Sequence, residues 1–291
     1  MAEIDSLFTR AEGLIERLER LLPPVPQRPD LNAAVAFRWR RSGRAGWLEP
    51  VHHRADIRLA DLRCIDRQRD RICLNTRQFL AGLPANNVLL WGPRGTGKSS
   101  LIKAVLNEYA GEGLRLLEVD RQHLLDLPDI VEPLYDRSER YIIFCDDLSF
   151  EADDASYKAL KVVLDGSIHR APANSLVYAT SNRRHLLPER LAENLEARNV
   201  DGEIHHGEAV EEKISLSERF GLWLAFHPFS QDDYLGIVAH WLHRLGVRED
   251  GEAMRREALT WALLHGSRSG RSAWQFAKDW VGRKGLRDCE A

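Results

Sequence analysis

The chain lacks any apolar run near the roughly 20 residues that a bilayer-spanning helix needs, so no membrane segment is expected. Its first residues set Glu3, Asp5, Glu12 and Glu16 among leucines, which is not the pattern of a signal peptide. Cysteine is scarce, with four in 291 residues: Cys64, Cys73, Cys145 and Cys289. They have no paired metal-ligand spacing, and one lies inside a core-like apolar stretch. Reduced thiols are expected rather than a disulfide framework, and the cytoplasm is the default location. Net charge is small as well, formally −3, and offers no global reason to expect nucleic-acid binding. The 44% hydrophobic and 29% charged residues are ordinary for a globular chain with a sizeable core.

One stretch carries chemistry outright. Gly92-Pro93-Arg94-Gly95-Thr96-Gly97-Lys98-Ser99 satisfies the phosphate-loop pattern G-x-x-x-x-G-K-[ST]. Val88-Leu89-Leu90-Trp91 before it reads as a strand, and Leu101, Ile102, Val105, Leu106 and Tyr109 after it form a helical stripe. Glycines let the backbone curl so that consecutive N–H groups meet phosphate oxygens, and the helix N-terminus adds favourable potential. Residues Gly92 to Ser100 are therefore the expected nucleotide cradle. Lys98 would reach the β- and γ-phosphates, and Ser99 would ligate Mg2+. The bland alternative is a glycine-rich turn that binds nothing; a strand before it and a helix after it weigh against that.

Around this stretch the chain divides by pattern. Ile4, Phe8, Ala11, Ile15, Leu18 and Leu22 predict an amphipathic helix over 5–22, which stops at Pro23-Pro24-Val25-Pro26 and a stiff linker. Residues 33–51 suggest a hairpin turning at Ser42–Gly46. Between Arg38 and Arg77 stand eleven arginines and five acids, an excess of 11 − 5 = +6, with Trp39 and Trp47 nearby. That mixture suits either a nucleic-acid surface or a solvated face; arginines alternating with Asp61, Asp66 and Asp70 favour the solvated face.

Apolar runs at 114–119, 141–145, 175–179 and 222–226 complete a set of five strands. Helical patterns around 98–110, 121–137 and 154–165 alternate with them, which predicts a parallel sheet covered on both faces. After Pro228 only helices follow, near 231–245, 253–265 and 270–282. Residues 195–213 have no clean period and read as an exposed loop. His205-His206 within it has no matched ligand partners.

Asp146-Asp147 ends the third strand of that set. A carboxylate at the C-terminal edge of a strand beside a phosphate loop is where Mg2+ is held, which is the role expected of Asp146. Asp147 is expected to orient or deprotonate the attacking water, alone or with Glu151.

Phosphate loop, Asp146-Asp147, Thr180-Ser181-Asn182, Ser217-Glu218-Arg219-Phe220-Gly221 and Ser269-Gly270-Arg271 follow one another in an order that resembles AAA+ ATPases. The match covers roughly residues 55–285. It is similar to a bacterial group of predicted AAA+ ATPases known as a domain of unknown function. Asp146–Phe150 and Ser217–Gly221 resemble the replication-initiator and helicase-loader branch. The resemblance implies that Asn182 is the first sensor, placing the water between acidic pair and γ-phosphate. It implies that Arg219 is an arginine finger for the neighbouring subunit's nucleotide, with Arg190 and Arg198 as rivals. Arg271 would be the second sensor, with Arg268 as fallback, and Arg183-Arg184 take no assigned role. Two departures stand out: Asp147 occupies a position where the family usually has Glu, and residues 121–139 lack the aromatic-apolar-glycine loop of polypeptide-threading rings.

The expected architecture is a three-layer αβα P-loop NTPase sandwich with a five-stranded parallel sheet and a C-terminal all-α lid. The expected division is an appendage over 1–54, the nucleotide-binding domain over 55–228 and the lid over 229–291. The expected activity is hydrolysis of ATP with Mg2+, driving conformational change or assembly on a macromolecular partner, in an ATP-dependent homo-oligomer. A protein client or DNA is the expected kind of partner. A stand-alone P-loop kinase or transferase, and an ATP-binding scaffold with little turnover, are the alternatives.

Overall fold

A computed structural model of the chain describes residues 30–43, 45–150, 155–165, 172–184, 198–200, 203–205, 218–247 and 251–290. The helix expected over 5–22, its proline-rich linker, Glu151, Arg190, His206 and Ser217 lie outside the described residues.

Apolar residues on consecutive positions of a strand point to opposite faces, so a strand that is apolar throughout needs cover on both sides. The chain meets that need with nine strands and seven α-helices among the described residues. The first half runs β1 (Ala36–Ser42), β2 (Ala45–Pro50), α1 (Asp66–Leu80), β3 (Val88–Trp91), α2 (Lys98–Tyr109), β4 (Leu114–Glu118) and α3 (Leu127–Val131). Next come β5 (Arg140–Cys145), α4 (Ala155–Asp165), β6 (Ser175–Ser181), β7 (Arg198–Val200), β8 (Glu203–His205) and β9 (Leu222–Ala225). Helices α5 (Gln231–Arg244), α6 (Glu252–Leu264) and α7 (Gly270–Glu290) complete it.

The main sheet has the order β2-β1-β4-β5-β6-β3-β9, parallel at every pairing except the β1–β2 hairpin. Along β5, Ile142 and Phe144 enter one core with Ile72 and Phe79 of α1 and Leu101 and Val105 of α2. Tyr141, Ile143 and Cys145 enter the other with Leu127 and Ile130 of α3 and Leu160 of α4. The three-layer α/β class is as expected, and the five expected strands are the contiguous run from β4 to the β9 edge.

The sheet is nevertheless seven strands wide, because the hairpin joins it. Ala36–Arg38 pair in parallel with Leu116–Glu118, covering a β4 edge that would otherwise be open. Side chains fix that register: Arg38 Nη2 meets Glu118 Oε2 at 2.7 Å, and Trp39 Nε1 donates to the buried Asp126 at 2.9 Å. Arg41 pairs with the same Asp126, Arg40 meets Glu49 at 2.8 Å, and Arg69 meets Asp66 at 2.7 Å. Of the excess of six, Arg38 and Arg41 are thus neutralised by acids from outside the segment.

Two local expectations change. The helix expected over 121–137 is broken into a 3-10 turn at Arg121–Asp126, the five-residue α3 and a second 3-10 turn at Glu132–Leu134. Pro128 and Pro133 lack the N–H that a continuous helix would need. Within the expected loop 195–213, β7 and β8 pair antiparallel, Arg198 opposite His205. The intervening sequence is Asp201-Gly202, a pair favoured in two-residue hairpin turns.

Helices α5–α7 bury Tyr234, Ile237, Val238, Met254, Ala258, Ala273 and Phe276 in the core shared with α1 and α2. Ser230 starts α5 with a capping box, its Oγ accepting from Asp233 N at 3.1 Å. Among the described residues no helix is long and apolar enough to cross a membrane.

Candidate functional site

The sheet order puts the C-terminal ends of β5, β6 and β3 side by side. Each end carries part of the sequence signal: Asp146-Asp147, Asn182 and the glycine-rich loop. The loop leaves β3 through Gly92, whose N–H donates to Ser181 O at 3.1 Å. Gly92 has φ +140, and a Cβ there would stand 2.2 Å from the Phe226 carbonyl oxygen, so only glycine fits. Lys98 folds back over the loop. Its ammonium donates to Gly92 O at 2.6 Å, Pro93 O at 2.7 Å and Asn182 Oδ1 at 3.2 Å. Burial holds its pKa below the usual lysine value, with Arg94 adding to the effect and Asp147 and Asp146 opposing it.

Asp146 Oδ1 accepts two hydroxyls, Ser99 Oγ at 2.6 Å and Thr180 Oγ1 at 2.5 Å. These oxygens form the hard donor set that suits Mg2+, a cation that takes one or two carboxylates alongside phosphates and water. Among the described residues no group of three or more His, Cys, Asp or Glu could hold a metal by itself. Asp147 sits at φ 52, in the left-handed region that aspartate tolerates better than most side chains. Its N–H donates to Thr180 Oγ1 at 2.9 Å. Its carboxylate accepts Asn182 Nδ2 on one oxygen and Arg94 Nη2, at 3.4 Å, on the other. The left-handed backbone is a physical reason for aspartate where the family usually has glutamate. Thr180, buried between the two acids, was quoted in the sequence pattern yet given no role.

Arg94, Lys98, Ser99, Asp146, Asp147, Thr180 and Asn182 line one cavity of about 940 Å³. That is within the range of small-molecule sites, roughly 300–1,000 Å³. Its apolar lining is Ile57, Ile65, Ile237, Trp241 and Trp274, none of which carries a sequence motif. The start of α7 closes it from above. Gly270 N donates to Gly95 O at 2.8 Å, and Ser269 and Ser272 cap one another through Ser272 N to Ser269 Oγ at 3.1 Å. Arg271 is thereby set on the cavity wall, exposed, whereas Arg268 does not line it.

Arg219 is not brought into this cavity. It lies half-buried just before β9, whose Leu222 pairs with Val88 at the far end of β3 from the loop. The side chain of Arg198 falls outside what is described, as does all of Arg190. Arg184 stacks its guanidinium 5.8 Å from the Trp91 ring, and the Arg183 N–H donates to Ser181 Oγ at 3.1 Å.

The RuvB Holliday junction branch migration motor of Thermotoga maritima is similar to this chain at 16% identity. The match covers 73% of this chain and 60% of that one, with a TM-score of 0.46. A proline-to-glycine variant of RuvB from the same organism is 17% identical over 77% of this chain and 64% of that one, with a TM-score of 0.50. The chain spans less than two thirds of the length of these RuvB chains. At such identity the likeness concerns the fold alone. No curated protein matches the chain in sequence. The sequence profile described as "Protein of unknown function (DUF815)" matches residues 32–284. The chain therefore belongs to the DUF815 family, and its fold is that of an AAA+ ATPase.

Proposed function

We propose that the protein binds ATP with Mg2+ and hydrolyses it, using the energy to change conformation or to assemble on a macromolecular partner. The observation that carries this reading is the convergence of Lys98, Ser99, Asp146, Asp147 and Asn182 on one cavity that Arg271 also lines. In this reading the loop amides and Lys98 hold the β- and γ-phosphates, and Ser99 and Asp146 hold the cation. The cation's chemistry is neutralisation of charge on the phosphate oxygens. Asp147 orients a water and takes its proton as the water oxygen bonds to the γ-phosphorus. The bond from that phosphorus to the bridging oxygen breaks, and ADP leaves with its electron pair. Asn182, already touching both Lys98 and Asp147, fixes the water's approach.

Arg219 serves a neighbouring copy's site in this reading, because it stands outside its own cavity. A guanidinium is permanently charged and offers a rigid fork of donors to developing phosphate charge. Helices α5–α7 are then the lid, and Arg271 reports the γ-phosphate to it. The arginine-rich segment does not favour a DNA client, since Arg38, Arg40, Arg41 and Arg69 are already in ion pairs.

The test is hydrolysis measured against protein concentration, alongside particle size with ADP, ATP and a slowly hydrolysed analogue. Specific activity is expected to rise with concentration. Arg219→Ala is expected to lose about a thousandfold in turnover, the low end for such a finger, while binding ATP normally. An active enzyme that stays monomeric at every concentration overturns the finger.

A second reading, an ATP-binding scaffold with little turnover, draws on the fact that both Asp147 oxygens are occupied by Asn182 and Arg94. Tight ATP binding with negligible phosphate release, unchanged in Asp147→Asn, is its signature.

A further inference from the structure

The apolar lining of the cavity is flanked by a charge arrangement that phosphate chemistry does not explain. Asp61 closes the short turn Leu59–Asp61, and its side chain is only 5% exposed. Its Oδ2 accepts the Arg58 backbone N–H at 2.8 Å and pairs with Arg244 Nη1 at the end of α5. Its Oδ1 faces His240 Nε2, one helical turn earlier, at 3.4 Å. Burial, then Arg63 and His243, keeps the His240 ring below the usual histidine pKa, so Arg244 supplies the matching charge. Arg244 also meets the exposed Asp56 at 3.4 Å and lies 5.7 Å from the Trp241 ring centroid.

The turn is in its own right tied to the helix that begins at Lys98. Asn107 Nδ2 donates to the carbonyls of Ala55 and Ile57, both at 2.9 Å. A buried carboxylate is tolerated only when paired, so Asp61 holds Arg244, and through it α5, in one position. Ile237, Trp241 and Leu245 of that stretch, together with Ile57, Leu62 and Ile65 of the turn, line the apolar part of the cavity.

We propose that Asp61 and Arg244 are positioning residues: their pair sets the height of α5 over the part of the cavity that receives the base. The proposal rests on the nucleotide reading and names what completes that site beyond the phosphate cradle. Neither residue touches phosphate in this arrangement; the pair acts through Trp241 and the apolar wall. Loss of the pair therefore weakens a ligand with a base and spares one that is phosphate alone.

The experiment is calorimetric titration of the full chain with ATP and, separately, with inorganic tripolyphosphate. The proteins are the parent, Asp61→Asn, Arg244→Lys, and the exchanged pair Asp61→Arg with Arg244→Asp. Asp61→Asn is expected to bind ATP about tenfold more weakly, the effect of one lost charged contact, with tripolyphosphate affinity changed less than about twofold. Arg244→Lys, which keeps charge and loses the fork, is expected to show a smaller loss with the same selectivity, and it keeps the test open if Asp61→Asn does not fold. The exchanged pair is expected to recover part of the ATP affinity, which a general loss of stability would not do. Unchanged ATP binding in both single variants, or equal losses for both ligands, overturns the positioning role. A parent protein that binds neither ligand overturns the nucleotide reading and this inference with it.

Discussion

The phosphate-binding side of the cavity is built from one continuous run, Arg94–Ser100, closed by Asp146, Thr180 and Asn182 at neighbouring strand ends. The rest of the lining draws on three separated stretches, 56–65, 237–245 and 270–274, which meet only in the folded chain. The first is dense in short polar contacts: Lys98 alone makes three hydrogen bonds, and Asp146 Oδ1 accepts two. The second is apolar with one buried ion pair. Backbone chemistry dictates the first, since a phosphate cradle needs particular glycines and one lysine. Packing dictates the second, and many side chains could pack there.

That contrast can be broken at its apolar end first. Phe276 on α7 is 1% exposed and touches Trp261 and Trp280. Phe276→Ala is expected to cost about 4 kcal/mol, which lowers a melting temperature by roughly 10 °C in a chain of this size. Calorimetric melting measures it, and a shift under about 3 °C would mean that α5–α7 contribute little to the common core. At the polar end, Lys98→Ala removes charge-assisted contacts worth about 3 kcal/mol in a bound state. Affinity for ATP and tripolyphosphate alike is expected to fall about a hundredfold by calorimetric titration. A loss confined to ATP would put the phosphates elsewhere.

The smallest effect concerns Cys64, beside the turn that ends at Asp61. Burial, then Asp233, pushes its thiol up to about 11. The thiolate is the reactive form, so at pH 8 only about one part in a thousand is reactive, three units below that pKa. Alkylation of the folded protein is expected to be slow at pH 8 and to accelerate as pH rises towards 11, whereas the denatured chain reacts readily at pH 8. Because Cys64 is exposed, rapid labelling of the folded state at pH 8 would show that its thiol is not held up by its surroundings.

What the sequence made legible follows the same contrast. The phosphate loop and the five strands from β4 to β9 in the sheet could be read because glycine spacing and unbroken apolar runs have local causes. The hairpin at 36–50 was legible as a hairpin, yet its pairing with β4 was not, since the Arg38–Glu118 contact joins positions 80 apart. Proline explains the broken helix after residue 120, a signal present in Pro128 and Pro133 and outweighed by the apolar periodicity around them. Asp61 and His240, 179 positions apart, carry no local signal of their meeting. Arg219 is legible only through family resemblance, because a group that would act on another copy leaves no trace in its own cavity.

The bond from Gly270 to Gly95 has a further consequence. Gly95 has φ +77, and a Cβ there would stand 2.7 Å from Ser269 Cβ, so the α7 start rests directly on the loop. A trans peptide is rigid and planar, which makes the Gly95 carbonyl and the Thr96 N–H opposite ends of one lever. With the carbonyl end pinned to α7, the N–H end is aimed away from that helix. Turning the lever to meet a ligand must either keep the pin or release it. By thermodynamic reciprocity, whatever strengthens the ligand's hold on that amide changes the docking of α7 by the same factor.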